Sequence, residues 1–129
     1  MKIFVPMKPP TSTHQEKQVV FRGGCTRFYE PANLKDARAK LTANLAHYAP
    51  EMPYVGCLRV MTKWVFPITG KRQDGQWKHT KPDTHNLNKL LFDVMTTLQF
   101  WGDDAQVCSE IIEKFWGEKP GIFIQIENL

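Results

Sequence analysis

The spacing of apolar and polar residues changes period several times along this chain, and each change marks an element. Lys2 to Val5 reads as a short strand stopped by Pro6, and "MKPPTSTHQEK" as a proline-rich polar loop. "QVVFRGGCTRFYE" holds two β-prone runs around Gly23-Gly24, the pattern of a hairpin that Pro31 ends. "NLKDARAKLTANLAHY" places Leu34, Ala37, Leu41, Leu45 and Tyr48 at helical spacing, with Asn33 as candidate cap. Beyond Pro50 and Pro53, "YVGCLRVMTKWVF" predicts a long strand. Leu58, Val60, Trp64 and Phe66 alternate on one face; Cys57, Arg59, Met61 and Lys63 share the other.

"PITGKRQDGQWKHTKP" follows as a basic loop, a candidate for DNA contact or for local disorder. In "KPDTHNLNKLLFDVMTTLQFWGDDAQV" a second helix carries Leu87, Leu90, Leu91, Val94 and Leu98 as a core stripe. His85, Lys89 and Asp93 recur at steps of four on a different face. "AQVCSEIIEKFW" predicts a strand, "GEKPG" a turn and "IFIQIENL" the last strand. The order is hairpin, helix, strand, helix, strand, strand. It predicts an α+β fold, a small mixed sheet with two main helices packed on it. The 129 residues show no repeat or linker and suit one domain, 1–129.

Composition narrows the class. Hydrophobic residues make up 42% and charged residues 23%, ordinary for a globular protein, and no apolar run is long enough to cross a membrane. The apolar start is too short for a signal peptide. Cys25, Cys57 and Cys108 form no CxxC pair, so they read as reduced, buried thiols in a cytoplasmic protein. The net charge of +4 is unevenly spread. From Met52 to Pro82 the basic residues are Arg59, Lys63, Lys71, Arg72, Lys78 and Lys81, against Asp74. From Trp101 onward Asp103, Asp104, Glu110, Glu113, Glu118 and Glu127 face only Lys114 and Lys119. This division suits a polyanion-binding surface that also holds a cation; it equally suits two solvated faces.

The candidate chemistry sits at the two ends of the second helix. Asp83 at its start reads as an N-cap, and Asp103-Asp104 after Gly102 as turn residues. Should the helix bring these acids together, they become oxygen ligands for Mg2+, which needs only one or two carboxylates beside its waters. Lys89, one turn into the helix, would face the same pocket. Such a set suits phosphodiester hydrolysis, with the metal activating water and the lysine stabilising the anionic transition state or leaving group.

The same stretch resembles the RusA family of Holliday junction resolvases. The family pattern, roughly K/R-P-D-x-D-N-L-x-K-x-x-x-D and then G-x-x-x-D-D-x-Q-V, is nearly met by "KPDTHNLNKLLFD" and by "QFWGDDAQV". Matching residues include Pro82, Asp83, Asn86, Leu87, Lys89, Asp93, Asp103, Asp104, Gln106 and Val107. "PMKPPTSTHQ" and "FRGGCTRFYEP" resemble the family's opening strand, loop and hairpin. The resemblance implies a magnesium-dependent homodimer that binds four-way DNA junctions and nicks two opposed strands. It implies metal-binding carboxylates at Asp83 and Asp104, with Asp103 a less secure ligand, and a catalytic lysine at Lys89.

His85 stands where the family has a second aspartate. Imidazole suits Mn2+ or softer metals better than Mg2+. His85 is thus a metal ligand, a base or phosphate contact, or the mark of an impaired junction-binding accessory protein; retained activity is the favoured expectation. Lys71, Arg72, Lys78 and Lys81 are expected to hold the incoming DNA strand, with Lys8, Lys17, Arg22 and Arg27 as a second strip. Trp77 and Trp101 are candidates for stacking on unpaired bases, with core packing preferred for Trp101. Two-fold symmetry of a junction suits a C2 dimer.

Overall fold

A computed structural model describes residues 1–13, 18–22, 25–29 and 31–129, with backbone alone for the two strands at 18–22 and 25–29. Its elements are β1 (Lys2–Pro6), β2 (Gln18–Arg22), β3 (Cys25–Tyr29), α1 (Ala32–Leu45), β4 (Leu58–Pro67), α2 (Thr84–Thr97), β5 (Val107–Gly117) and β6 (Gly121–Asn128). The four long-range strands form a mixed sheet in the order β1-β6-β4-β5, with β4 and β5 parallel and the other pairs antiparallel. Helix α2 is the crossover that a parallel pair requires. β2 and β3 pair antiparallel as a separate two-stranded sheet, Arg22 opposite Cys25. The expected Gly23-Gly24 turn lies outside the described residues. The α+β expectation holds, and no helix among the described residues is long and apolar enough to cross a membrane.

The period-two pattern of β4 sorts the sheet's faces. Leu58, Val60, Thr62, Trp64 and Phe66 are buried toward the helices. Register sets Ile122, Ile124 and Ile126 of β6 beside them, all buried, and Glu110, Ile112, Lys114 and Trp116 of β5 on the same side. Leu34, Ala37, Leu41 and Leu45 of α1 and Leu87, Leu90, Leu91 and Val94 of α2 close this core from above. The opposite face carries Phe4, Met61, Lys63, Val65, Ile111, Phe115 and Phe123; Phe4 is 40% and Ile111 38% exposed.

Several boundaries differ from expectation, each for a local reason. β4 begins at Leu58 rather than Tyr54, because Gly56 takes φ +77° and breaks the extended run. Asn33 is not the cap of α1; Pro31 holds that position, and the Asn33 Oδ1 accepts from Leu34 N at 2.9 Å. α1 stops at Leu45, and Ala46–Tyr48 tightens into one 3-10 turn. Cys57 and Cys108 are exposed, not buried. Leu58 pairs with Val107 and Arg59 with Ser109, so Cys108 is the extra residue of a bulge, and Cys57 precedes the strand. The Cys25 side chain lies outside the described residues.

One polar residue crosses the core. Asn88 of α2 is 1% exposed; its Oδ1 accepts from Thr62 Oγ1 and Trp64 Nε1, both at 2.8 Å, and its Nδ2 donates to Glu110 Oε1 at 3.0 Å. Removing that oxygen strands two buried donors. Each costs about 1–3 kcal/mol unpaired, so Asn88→Ala is expected to destabilise the fold by about 2–4 kcal/mol in urea titration. A loss of a few tenths would mean that the network carries no stability.

Candidate active site

Asp83 occupies the N-cap position of α2 in an extended conformation (φ −71°, ψ 142°). Its carbonyl accepts from Leu87 N at 3.1 Å, yet its carboxylate makes no capping bond. The capping reading therefore describes its position but not its chemistry, and the exposed carboxylate keeps its lone pairs. Lys114, from β5, faces it. The Lys114 ammonium donates to Thr80 O at 2.6 Å and Pro82 O at 2.7 Å, fixing the turn that delivers Asp83. Burial lowers the Lys114 pKa, and the Asp83 charge opposes that shift.

Asp83 also borders a hollow of about 280 Å3 that Thr11, Ser12 and Thr13 line with Asn33, Lys81 and Asn86. The loop after β1 and the starts of both long helices meet here.

The other acids are set by how α2 ends. Gln99 takes φ +63°, and Phe100 N bonds Met95 O at 3.0 Å, so the chain reverses and buries Phe100 and Trp101. Trp101 is thus core: its Nε1 donates to Thr96 Oγ1 at 2.8 Å. The expected strand start at Ala105 is instead a 3-10 turn over Asp104–Gln106. Asp103 caps it, accepting from Ala105 N at 2.9 Å, while Gln106 Oε1 accepts from Gly102 N and Asp103 N. Gln106 Nε2 donates to Tyr54 O and Gly56 O, both at 3.1 Å, pinning the turn to the segment before β4. Asp103 is therefore partly committed as a cap, and Asp104 stands exposed next to it.

Asp104 is crowded by like charge. Its pKa is raised, first by desolvation, then by the Asp103 hydrogen bond and charge and by Asp93; Lys89 pulls the other way. Lys89 and His85 are exposed on one face of α2, and Asp93 on the same face pairs with Arg38 at 3.8 Å. The site is a row rather than a preformed cage. Asp83 with Lys114 marks one end; Lys89, Asp93 and Asp104 lie further along. Lys89 is about 9 Å from Asp83 along the helix axis. Among the described residues no three His, Cys, Asp or Glu side chains converge as a metal-holding group. The donor set still fits a hard cation that takes one or two carboxylates and completes its shell with water and phosphate oxygen.

The expected DNA contacts divide. Lys8, Lys71, Arg72 and Lys81 are exposed. Lys78 is turned inward instead, 8% exposed, with its ammonium 4.1 Å from the Trp116 ring centre and 5.1 Å from that of Phe66. Burial, then Lys114 and Arg72, lower its pKa. Lys17 and the side chains of Arg22 and Arg27 lie outside the described residues. Sequence reasoning missed Asn88, Lys114 and the anchoring role of Gln106. The alternation of β5 with Trp116 held a signal for Lys114 alone.

The crowding at Asp104 is directly measurable. In the metal-free protein its carboxyl is expected to titrate above the ordinary aspartate range by NMR. Asp103→Asn should bring it down and Lys89→Ala push it further up, because the first removes a negative neighbour and the second a positive one. Unchanged titration in both variants would separate Asp104 from these neighbours.

Comparison with known proteins identifies the family. Residues 6–127 match the family model described as "Endodeoxyribonuclease RusA". A protein of Lactococcus phage r1t named "Crossover junction endodeoxyribonuclease rusA" is 32% identical over 126 residues, 95% of this chain and 92% of the phage protein. With nearly its full length matched by both, the chain belongs to the RusA family.

Proposed function

We propose that this protein is a metal-dependent endodeoxyribonuclease that binds four-way DNA junctions and resolves them by paired nicks. The carrying observation is the outer face of α2: an exposed Asp83 whose carboxylate makes no capping bond, then Lys89, with Asp104 of the later 3-10 turn near it, its pKa raised first by desolvation and then by Asp103 and Asp93. Family membership supplies the reaction class. Asp83 and Asp104 would hold Mg2+, or Mn2+, against the scissile phosphate, with Asp103 orienting the turn. The bound ion would supply charge neutralisation and an activated water. Lys89 stabilises the negative charge that develops on the phosphate or the departing oxygen. Lys71, Arg72 and Lys81 neutralise backbone phosphates on the approach, with Lys8, Arg22 and Arg27 as a second strip.

A homodimer fits the task, because a C2 pair presents equivalent sites to opposed strands. The helix-free sheet face, with Phe4, Met61, Ile111 and Phe123, is the surface on which a second copy would pack. Action in the cytoplasm accords with a DNA substrate. His85 favours one alternative, a junction-binding accessory protein with weak cleavage, since it replaces an acid in the family pattern.

A labelled synthetic four-way junction, with a linear duplex as control, tests the reading in Mg2+, in Mn2+ and without metal. Metal-dependent symmetric nicks confined to the junction are expected. Asp104→Asn should abolish cutting while leaving binding intact or tighter, as it removes a negative charge beside the phosphate. Cutting at the unmodified rate would sink the Asp104 assignment. His85→Asp is expected to raise the Mg2+ rate relative to Mn2+. Salt-sensitive junction binding without cleavage in either metal would favour the accessory reading. Binding should weaken with salt at a log–log slope of roughly −0.9 per neutralised phosphate.

A further inference from the structure

We infer that the cleft between the loop at 68–82 and the end of β5 is a binding pocket for one unpaired nucleotide of the DNA strand. The inference rests on the nuclease reading for its strand, but its walls stand on their own. The cavity is about 250 Å3 and is lined by Lys71, Arg72, Gln76, Trp77, His79 and Trp116 with Thr80. That is below the ~300–1,000 Å3 of pockets for drug-sized ligands, and suits a single base. No acid lines it.

Its walls are held in place before any ligand arrives. Gly75 N donates to Trp116 O at 2.8 Å, Trp116 N to Gln76 O at 2.8 Å and Lys78 N to Lys114 O at 3.1 Å, so the loop runs as a short added strand along β5. The Trp77 ring stacks on Phe115, 4.4 Å between centres, and is still 63% exposed. The Arg72 guanidinium lies 4.6 Å from the Trp116 ring centre while Arg72 itself is exposed. A large exposed indole and a guanidinium already laid on a ring are both surfaces on which bases stack, with little regard to sequence. Gln76 Oε1 accepts from Gln73 N at 3.1 Å, which leaves its amide N–H groups as donors for a base edge. Lys71 supplies charge for the attached phosphate, and the His79 imidazole a hydrogen-bonding edge.

The cleft is also tied to the candidate active site. The Lys114 ammonium holds the carbonyls of Thr80, in the pocket wall, and Pro82, next to Asp83. Only Lys81 and Pro82 separate Thr80 from Asp83, a span of at most about 11 Å. A base seated here belongs to the strand whose phosphate reaches Asp83.

Tryptophan emission gives a direct test. Trp64 and Trp101 are fully buried and Trp116 nearly so, leaving Trp77 as the indole a ligand can quench. Short oligothymidylate is the first probe, and four-way junctions with abasic residues placed singly near the branch point are the second. Oligothymidylate should quench emission, and Arg72→Lys, which keeps the charge but loses the planar platform, should weaken that binding roughly ten-fold. At one abasic position the unmodified protein should lose roughly ten-fold in junction affinity, and Trp77→Ala should lose nothing further there. Absent quenching, or losses that multiply at every position, overturns the pocket. Junction cleavage with multiplying losses would leave the nuclease reading standing without it. Arg72-dependent quenching by oligothymidylate, with no junction binding or cleavage, would keep the pocket and remove the nuclease reading.

Discussion

The orientation of α2 about its own axis decides what this molecule can do, and Asn88 fixes it. A helix with an apolar stripe can roll by some tens of degrees and still bury most of that stripe. A buried amide with three partners on two strands cannot. Its bonds to Thr62, Trp64 and Glu110 hold one azimuth. In that azimuth Leu87 and Leu91 face the core, and His85, Lys89 and Asp93 are turned to one outer side. The parallel pairing of β4 and β5 then brings the Asp103-Asp104 turn back alongside that same face. The row of charged residues is thus a consequence of core geometry rather than of surface composition.

Much of this was legible in the sequence, because the signals were periodic. The two helices, the β4 face and the α+β class followed from spacing alone, and both helix stripes are buried as the spacing predicts except at Tyr48 and Leu98, which are half-buried. What was not legible depended on contacts between distant residues. Gly56 ended the run before β4 through its positive φ. The cap formed by Asp103 and Gln106 converted a predicted strand start into a 3-10 turn. The bulge at Cys108, and the start of β4 only after Cys57, left both thiols at the surface. The strand order, with β4 between β5 and β6, leaves no trace in local pattern either. For the candidate site the residue types and their places at the two ends of α2 were readable, but not that no three of the acids and histidines converge among the described residues. The reversal after α2, which brings Asp104 beside Lys89 and Asp93, is not contained in a list of carboxylates.

Charge reading failed most clearly at Lys78, and the reason is instructive. A lysine in a basic loop is ordinarily solvated, since burying an ammonium is costly unless it is paired. Here two aromatic faces and the Thr80 hydroxyl receive it. The residue counted as a DNA contact instead anchors the loop to β5. That inward turn is what leaves Trp77 outside, because neighbouring residues on an extended segment face opposite sides.

The same anchoring bears on how the proposed site would work. A row of acids along a helix, with one lysine between, does not bind a cation strongly by itself, because no single point offers a full ligand shell. Asp103, Asp93 and Asp104 repel one another, and a cation together with a DNA phosphate would relieve that repulsion while the phosphate supplied the missing oxygens. Affinity for metal and affinity for DNA are then coupled: each raises the other by the same factor. In such a site His85 would matter less as a ligand in isolation than as a group that biases which cation completes the shared shell. An imidazole on that face, in place of a carboxylate, also removes one negative charge from the path of the phosphate backbone. In the proposed site the substitution would therefore lower the electrostatic cost of bringing DNA to the row even as it weakened the hold on a hard ion.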